Sequence, residues 1–517
     1  MKKFAKLLGF DPVEKQTSVR TELVAGVVTF LAMAYILTVN PNQLFGSTSN
    51  PYWSSAFIAT ALGAVVGTLL MAFLAKMPLA QASGMGLNSM LGGLIGGYAG
   101  YAAKFTPGQA FFLVFISGLL FLALSVIKIK GKTFRELVFD GMPVSVRGAI
   151  SVGIGLFIAY IGFQNAGVII TNNFTQIGLV DFTNWGSQII NNGNLFIGED
   201  PISGPAAKTA CVALIGLFLI AILDKLKVKG SVIFGIIGAT LVGIPFGVTD
   251  LSVLKGGTPG VSWKFWENYS NFFGGENTVF GSFINVFTGE GLIPSGVTVF
   301  TIIMIVITLC MVDMFDTMGT IVGCCGGNRI LSDENNKPHN YGKIMISDSV
   351  ATCAGSMLGT STVTTFVEAG AGVSAGGRTG LTALTTAVLF FLATFAMPVF
   401  AVVPPAATAA ALIYVGVLMM KNNIKSIDFS TTISATTAFL TISVMVLAYS
   451  ITKGIGIGMV SYTLMSSVSY VAELIKYALA KKKSANGADI EKPQWNVSVV
   501  AIIISLLFIV YFFVPAK

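Results

Sequence analysis

Three carboxylates interrupt otherwise apolar stretches of this sequence. Glu368 lies in TSTVTTFVEAGAGVS, while Asp313 and Asp316 lie in CMVDMFDTMGT. An ionised Asp at the centre of a membrane helix costs about 2.5–3.5 kcal/mol on insertion scales, so each residue needs a partner, a polar cavity or a proton. Aspartates three positions apart lie on one face of a helix, and their like charges allow one of them to be neutral in an empty site. We therefore predict binding or proton-carrying roles, the alternative being hydrogen-bond acceptors that hold helices together.

The segment around Glu368 indicates an interrupted helix. GTSTVTT is rich in β-branched residues and favours an extended backbone, whereas EAGAGVSAGG allows a short helix to begin near Glu368. KMPLAQASGMGLNSMLGGLIGG has the same construction, with Pro78 and Gly84 before a second half-helix that begins near Asn88. Transporters use such discontinuous helices to bind polar substrates within the membrane. Two of them in corresponding places predict an inverted repeat with the binding site between its halves.

The composition requires a membrane to hold these elements. Of the 517 residues, 54% are hydrophobic and 10% are charged, against about 25% charged residues in soluble domains. We predict a single integral membrane domain, 1–517, that crosses the bilayer many times. Gly63/Gly67 and Gly92/Gly96 are typical of helices in close contact. The fifteen predicted spans are 21–39, 54–75, 79–99, 109–127, 144–163, 206–223, 230–249, 297–321, 344–359, 362–376, 380–400, 403–420, 432–450, 453–474 and 496–514.

The charged residues predict the orientation and exclude several functions. The net charge is +8, and the basic residues are concentrated in the breaks after even-numbered spans, which the positive-inside rule places in the cytoplasm. The charged N-terminal segment 1–20 is then cytoplasmic, and the protein is a multi-pass protein of the cell membrane. No basic face is interleaved with aromatic residues, which argues against nucleic-acid binding. His339 is the only histidine, which argues against a histidine-rich metal site.

Five motifs resemble those of the azaguanine-like adenine/guanine/hypoxanthine permeases, a branch of the nucleobase:cation symporters (nucleobase-ascorbate/uracil permeases). They are TFLAMAYILTVNP, GMGLN, DMFDTMGT, STVTTFVEAGAGVSAGGRTGLTAL and PPAATAAALIYVGVLM, and the resemblance covers nearly the whole chain. It implies an all-α fold of about fourteen transmembrane helices, built as two inverted seven-helix repeats and divided into a core and a gate domain. The third and tenth helices of that fold are half-helices, each interrupted by a short strand.

The same resemblance sets the expected domain boundaries. The first inverted repeat is expected at 21–250, an external linker with a short surface helix at 251–295 and the second repeat at 296–475. The remainder, 476–517, is expected to be a basic cytoplasmic segment followed by the span 496–514, which exceeds the family count of fourteen. Either 496–514 is an extra terminal helix, or one of the segments 432–450 and 453–474 does not span the membrane.

The resemblance also assigns roles to residues. It implies that Glu368 and Asp313 anchor a purine, and that Asp316 is the second aspartate of the eighth helix. The remaining residues that it places at the substrate are Asn88, Gly86, Phe366 and Val367. Phe366 would supply a ring face and Val367 a backbone amide. Since the related uracil permeases often carry a histidine that is missing here, proton transfer is expected to depend on Asp313, Asp316 and Glu368.

Purine chemistry agrees with these roles. A carboxylate can accept hydrogen bonds from two adjacent N–H groups of a base, while an amide supplies donors. We therefore expect secondary active, proton-coupled uptake of adenine, guanine and hypoxanthine through an elevator-type movement of the core domain, with no cofactor besides H⁺. The resemblance allows a homodimer.

Several alternatives stay open at the level of the sequence. A uracil or xanthine permease, another carrier of the same fold, and Na⁺ coupling would each fit the same architecture. An anion carrier is disfavoured because three acids would repel its substrate. An intramembrane enzyme is disfavoured because the lone histidine lies in a polar stretch, and a channel because buried carboxylates in broken helices suit a closed binding site.

Overall fold

A computed structural model gives the structure of the protein. It describes residues 10, 15–96, 105–129, 132–133, 141–172, 176–183, 185, 189–190, 202–255, 260–275, 278–294, 296–325, 330–332, 338–483, 493–495 and 497–513. Most of the predicted cytoplasmic segment 1–20 and part of 476–517 lie outside these residues.

Helices account for most of the described residues. Those of the first half are α1 (Val19–Met33), α2 (Ile36–Phe45), α3 (Trp53–Leu70), α4 (Met85–Gly96), α5 (Pro107–Val126), α6 (Val144–Asn165), α7 (Ala206–Lys225) and α8 (Ser231–Phe246). Those of the second half are α9 (Phe265–Gly274), α10 (Val279–Asn285), α11 (Val299–Cys325), α12 (Tyr341–Leu358), α13 (Ala369–Ser374), α14 (Gly380–Ala393), α15 (Met397–Ala401), α16 (Pro405–Asn423), α17 (Thr432–Leu447), α18 (Ile451–Lys483) and α19 (Val499–Phe513).

The helices are long and apolar enough for a membrane protein. Among the described residues, eight helical segments meet the length and hydropathy of a membrane span, and four shorter helices are also apolar. Each of the fifteen predicted spans coincides with a helix, with two consecutive helices (21–39 and 380–400), or with a strand followed by a helix. Two boundaries differ by more than four residues: the first span continues to Phe45, and α18 continues to Lys483. The predicted linker contains two α-helices, α9 and α10, instead of a single surface helix.

Short strands form four two-stranded antiparallel ladders in the described residues. The strands are β1 (Gln81–Ser83), β2 (Lys128–Ile129), β3 (Lys132–Thr133), β4 (Ile169–Asn172), β5 (Gln176–Leu179), β6 (Ile189–Ile190), β7 (Ile202–Pro205) and β8 (Val363–Thr365). Three ladders join strands that follow one another, whereas β1 pairs with β8, far along the chain. Since β1 precedes α4 and β8 precedes α13, both predicted strand–half-helix segments exist. The predicted fold class, a helical polytopic membrane protein with two interrupted helices, is confirmed.

The chain divides into two compact units by its internal contacts. One unit comprises Met1–Val126, Ile158–Val417 and Ala516–Lys517, and it contains β1, α4, β8 and α13. The other comprises Ile127–Phe157 and Leu418–Pro515. In the second unit a buried apolar cluster joins α6 to α17 through Val152, Ala438 and Ile442. The predicted repeat boundaries stay a prediction, because this division follows contacts and not internal symmetry.

Glycines allow the close packing around β8. A Cβ on Gly63 would lie 3.2 Å from Cγ2 of Val363, and one on Gly355 would lie 2.4 Å from the same atom. Gly359 ends α12 with φ +88°, a left-handed conformation that favours glycine, and so turns the chain toward β8. The small residues therefore bring α3 and α12 against the strand.

Candidate substrate-binding site

The ladder of β1 and β8 positions the two half-helices. Its register pairs Gln81 with Thr365 and Ser83 with Val363, and all six strand residues are buried. The ladder continues at both ends, because the Gly84 amide donates to the Thr362 carbonyl at 2.8 Å and the Phe366 amide donates to the Ala80 carbonyl at 3.1 Å. Since the strands are antiparallel, α4 and α13 begin at opposite ends of it. In α13 the amides of the first turn already donate to the carbonyls of Phe366, Val367 and Glu368, so the polar group that α13 offers there is the Glu368 side chain.

Glu368 lies at the N-terminal end of α13, immediately beyond β8. Its side chain is 8% exposed, and its Oε1 accepts a hydrogen bond of 2.6 Å from the hydroxyl of Tyr35. Tyr35 lies at the junction of α1 and α2, and its hydroxyl is also 3.6 Å from Sδ of Met85, the first residue of α4. The carboxylate is therefore held between both half-helices and the first helix pair. Sequence reasoning missed Tyr35, which reads as one more aromatic residue in an apolar run.

The two aspartates of α11 have different surroundings. Asp316 interacts electrostatically with Asp348 and Glu368. Asp313 is 1% exposed, and its Oδ2 accepts a hydrogen bond of 2.9 Å from Thr352 of α12. The same hydroxyl lies 3.2 Å from the Val363 carbonyl. Asp316 thus belongs to the carboxylate group around Glu368, whereas the Asp313 contact joins α11 to α12 and β8.

A fourth carboxylate, Asp348 of α12, contacts the ladder of β1 and β8 and was not predicted. It is fully buried, and its Oδ1 accepts from Nε2 of Gln81 at 2.8 Å and from Oγ1 of Thr365 at 3.3 Å. Its Oδ2 accepts from Oγ1 of Thr317 at 2.6 Å. Asp348 therefore connects α11, α12, β1 and β8. Asp348 lies in the sequence stretch SDSV, near the start of a predicted span. A charged residue there is expected at the polar end of a helix, so the sequence did not indicate its role.

The residues predicted on the first half-helix lie in the first turn of α4. Gly86 is buried, and Asn88 is fully buried with its Oδ1 hydrogen-bonded to the hydroxyl of Ser361. Within the described part of the chain, Nδ2 of Asn88 is a buried donor without a hydrogen-bond acceptor. Asn88 thus joins α4 to the residues before β8 and retains a donor that a polar ligand could use.

Phe366 and Val367 form the turn between β8 and α13. The Phe366 ring is 4% exposed, and Val367 is partly buried. Their carbonyls lie 3.7 Å and 3.4 Å from Sγ of Cys324 in α11, which can donate to both. The turn that presents Glu368 is therefore attached to the helix that carries Asp316.

A second unpredicted carboxylate, Glu22, contacts the residues that precede α14. It is fully buried in α1 and accepts hydrogen bonds from the amides of Arg378 and Thr379 at 2.9 Å and 3.3 Å. The hydroxyl of Thr382 donates to it at 2.5 Å. Because Arg378 and Thr379 precede α14, Glu22 satisfies amides at a helix N-terminus from a different helix. These contacts explain Glu22 as a structural residue.

The structure therefore brings Glu368, Asp316 and Tyr35 into one group beside the two half-helices. Asn88 and Gly86 lie in the first turn of α4, and Asp313 contacts β8 through Thr352. Buried acceptors beside a buried amide donor can bind a small planar solute with several N–H groups. The substrate-binding and proton-carrying roles of these residues stay predictions.

Comparison with known proteins identifies the family. A permease family model (Xan_ur_permease) matches residues 20–190 and 184–457. Guanine/hypoxanthine permease PbuO of Bacillus subtilis (strain 168) is 34% identical over 460 residues, which are 89% of this chain and 94% of PbuO. Adenine permease AdeQ of Escherichia coli (strain K12) is 32% identical over 449 residues, which are 87% of this chain and 88% of AdeQ.

A solved structure supports the fold independently. The transmembrane domain of the cyanobacterial bicarbonate transporter BicA matches with a TM-score of 0.57 at 16% sequence identity, covering 84% of this chain and 96% of that domain. At this identity the likeness concerns the fold alone. The chain therefore belongs to the permease family of multi-pass membrane proteins, and the resemblance to its azaguanine-like branch that the motifs indicated is confirmed.

Proposed function

We propose that this permease is a secondary active transporter that brings purine nucleobases into the cell together with protons. The observation that carries the proposal is the position of Glu368, a buried carboxylate at the N-terminal end of one half-helix and linked through Tyr35 to the other. Two relatives are named as permeases of adenine and of guanine and hypoxanthine. Adenine, guanine and hypoxanthine are the proposed substrates.

The site chemistry supports a purine. Glu368 offers a carboxylate to N–H groups of the base, and Asn88 has a buried amide donor that could meet a ring nitrogen or a carbonyl oxygen. Hydrogen bonds between a carboxylate and N–H groups are stronger than those between neutral groups. A solute without the matching donors would leave Glu368 buried and unpaired, which is costly. In this proposal Glu368 and Asp313 are the anchors, with Asn88 beside them.

The neighbouring acids Asp316, Asp348 and Glu368 support proton coupling. Asp316 interacts with two other acids, Asp348 and Glu368, in a region of low dielectric. Because neighbouring negative charges oppose one another, one acid can take a proton from outside and release it at the higher pH inside. Asp313, Asp316 and Glu368 are the proposed proton carriers. A pH difference of one unit then supplies about 1.4 kcal/mol per proton.

The proposed movement is of the elevator type, in which the domain that carries both half-helices shifts and exposes the site to each side in turn. Its basis is the long-range pairing of β1 with β8, which makes the two half-helices one construction. The proposal also places the N-terminus in the cytoplasm and allows a homodimer, both from the family resemblance and the loop charges.

Uptake in vesicles tests the proposal directly. Purified protein in proteoliposomes is supplied with labelled adenine, guanine or hypoxanthine, with an imposed inward proton gradient and with a protonophore. Uptake that saturates and stops when the gradient is removed is the expected result. No purine uptake would refute the substrate, and uptake that needs Na⁺ instead would refute proton coupling. Unlabelled uracil and xanthine identify the alternative substrates by competition.

We expect Glu368→Gln to reduce purine transport at least about tenfold, because an amide presents a donor where the base needs an acceptor. Glu267→Gln is the matched control, since Glu267 pairs with Lys264 at 3.0 Å on an exposed surface and should transport like wild type. Both variants are compared at equal amounts of protein in the membrane. Normal transport by Glu368→Gln would remove Glu368 from the site.

A further inference from the structure

Tyr35 adds a feature to the site that the motifs do not assign. We infer that Tyr35 is a specificity-determining residue, which fills one acceptor position on an oxygen of Glu368 and so weakens that oxygen as an acceptor for the N–H groups of a base. The inference rests on the proposed function, because it concerns the same purine site.

The contact between Tyr35 and Glu368 is short and buried. The hydroxyl lies 2.6 Å from Oε1, and the two side chains are 2% and 8% exposed. A phenol that donates to a carboxylate at this distance forms a charge-assisted hydrogen bond, which is worth roughly 1.5–3 kcal/mol. Within the described residues, no other side chain has a hydrogen bond to Glu368. Tyr35 therefore makes Oε1 and Oε2 unequal.

The surrounding chain fixes the position of Tyr35. The residue lies where α1 ends and α2 begins, and its carbonyl accepts from the amides of Thr38 and Val39. Its hydroxyl also approaches Sδ of Met85 at 3.6 Å, and Asp316 acts on it electrostatically. The phenol thus contacts Glu368, immediately before α13, and Met85, the first residue of α4. A side chain in that position contacts the substrate or the group that binds it.

The hydrogen bond from Tyr35 to Oε1 of Glu368 affects the choice between guanine and hypoxanthine. Guanine has two adjacent donors, N1–H and the exocyclic amino group, whereas hypoxanthine has only N1–H at that edge. A carboxylate with both oxygens available can accept from both donors of guanine. With the Tyr35 hydroxyl already donating to Oε1, this oxygen has one acceptor position fewer and is the weaker acceptor, so the second donor of guanine gains less than it would from two equivalent oxygens. The wild-type protein should then bind guanine and hypoxanthine with similar affinity.

The test is the ratio of guanine to hypoxanthine affinity in Tyr35→Phe. Both bases are titrated against uptake of one labelled purine in proteoliposomes, and KM and maximal rate are measured for each. Removal of the hydroxyl frees Oε1, so we expect the ratio of inhibition constants to shift about tenfold toward guanine. Tyr52→Phe is the matched control, because Tyr52 stacks on Phe45 with ring centroids 5.3 Å apart, and it should keep the wild-type ratio.

Each outcome decides the question. An unchanged ratio in Tyr35→Phe, with wild-type protein that does transport purines, overturns the inference and leaves the proposed function standing. A uniform loss for both bases also overturns it, since that is what a purely structural residue would give. No purine transport by wild type refutes the proposed function itself. If the Phe protein does not accumulate, Tyr35→Leu gives the same ratio test. In the Glu368→Gln background the Tyr35 substitution should no longer move the ratio.

Discussion

The buried acids of this permease differ in which groups donate to them. Glu22 accepts from two amides and a hydroxyl, and Asp348 accepts from an amide side chain and two hydroxyls. Among the side chains that the structure describes, Glu368 instead accepts from the hydroxyl of Tyr35 alone. A buried acid surrounded by donors is stabilised in place, whereas one with remaining acceptor capacity is suited to a ligand. The donor set thus separates structural acids from candidate functional ones.

We expect Asp348→Ala to lower the thermal stability of the purified protein strongly. The change removes an acceptor from Gln81, Thr317 and Thr365 at once, and an unsatisfied buried polar group costs about 1–3 kcal/mol. Asp348→Asn keeps one acceptor oxygen and should lose less. The measurement is the unfolding temperature in detergent, followed by intrinsic fluorescence.

Asp250→Ala serves as the control for this change. Asp250 lies on an exposed loop and accepts hydrogen bonds of 2.8 Å and 2.7 Å from the Ser252 amide and hydroxyl. Its removal should change the unfolding temperature little. Equal effects of the two alanine substitutions would show that the Asp348 contacts do not stabilise the ladder.

Sequence reasoning found Glu368 but missed Asp348, Glu22 and Tyr35, for a physical reason. Glu368 is recognisable because β-branched residues and glycines flank it and predict a broken helix. Asp348 and Glu22 lie near the polar ends of predicted spans, where a charge needs no explanation. Their importance comes from partners as distant in the chain as Gln81 and Thr382. Local pattern carries no information about those partners.

At the scale of elements, the pairing of β1 with β8 requires helices to approach very closely. Five of the six strand residues are Ala, Ser, Thr or Val, and the helices beside them carry glycines where a side chain would collide. A Cβ on Gly67 would lie 2.7 Å from Val363 and 2.8 Å from Oε1 of Gln81. A Cβ on Gly92 of α4 would lie 2.2 Å from the Gln43 carbonyl oxygen of α2. The predicted small-residue faces of Gly63/Gly67 and Gly92 are therefore packing surfaces around the two broken segments.

Gly92→Ala should destabilise the protein by about 3 kcal/mol or more, because the backbone carbonyl of Gln43 cannot move aside as a flexible side chain would. The unfolding temperature of the purified protein measures the effect. Gly342→Ala is the matched control within a helix: nothing lies within 4 Å of its added Cβ, so it should be neutral or slightly stabilising. Similar unfolding temperatures for the two variants would mean that α4 and α2 are not in close contact.

The sequence predicted the existence of both half-helices, but it could not predict that their strands pair with each other. Pro78, Gly84 and the Thr- and Val-rich stretch indicate breaks locally. The antiparallel register, with Gln81 opposite Thr365, depends on residues more than 280 positions apart in the chain. Once paired, the strands satisfy each other's backbone groups within the membrane, which an isolated strand could not do.

At the scale of the whole molecule, the last helix affects the topology. The family resemblance implies fourteen helices, and α19 is one more apolar helix after α18. Within the second compact unit α19 packs antiparallel to α18. A Cβ on Gly456 would meet the Phe508 ring, Thr463 and Ser505 are hydrogen-bonded at 2.7 Å, and Tyr470 contacts Trp495 with ring centroids 5.0 Å apart. α19 therefore runs back alongside the part of α18 between Gly456 and Tyr470.

These contacts predict that α19 crosses the membrane. From Gly456 to Tyr470, α18 rises about 21 Å at about 1.5 Å per residue, which is most of a hydrocarbon core of about 30 Å. The basic stretch KYALAKKK at the end of α18 is predicted to be cytoplasmic. The contact of Tyr470 with Trp495 is typical of aromatic residues at a membrane–water interface on that side. A helix that starts there and spans the bilayer ends outside the cell.

We expect an epitope tag after Lys517 to be labelled by antibody on intact cells, and a tag before Met1 to be labelled only after permeabilisation. An odd number of crossings places the two ends on opposite sides, whereas fourteen crossings would place both in the cytoplasm. A variant truncated after Lys483 and tagged there is the internal control, since that tag should need permeabilisation. If the tag after Lys517 also needs it, the number of crossings is even, as in the fourteen that the resemblance implies. Either α19 then packs against α18 without crossing, or one of the segments 432–450 and 453–474 does not span.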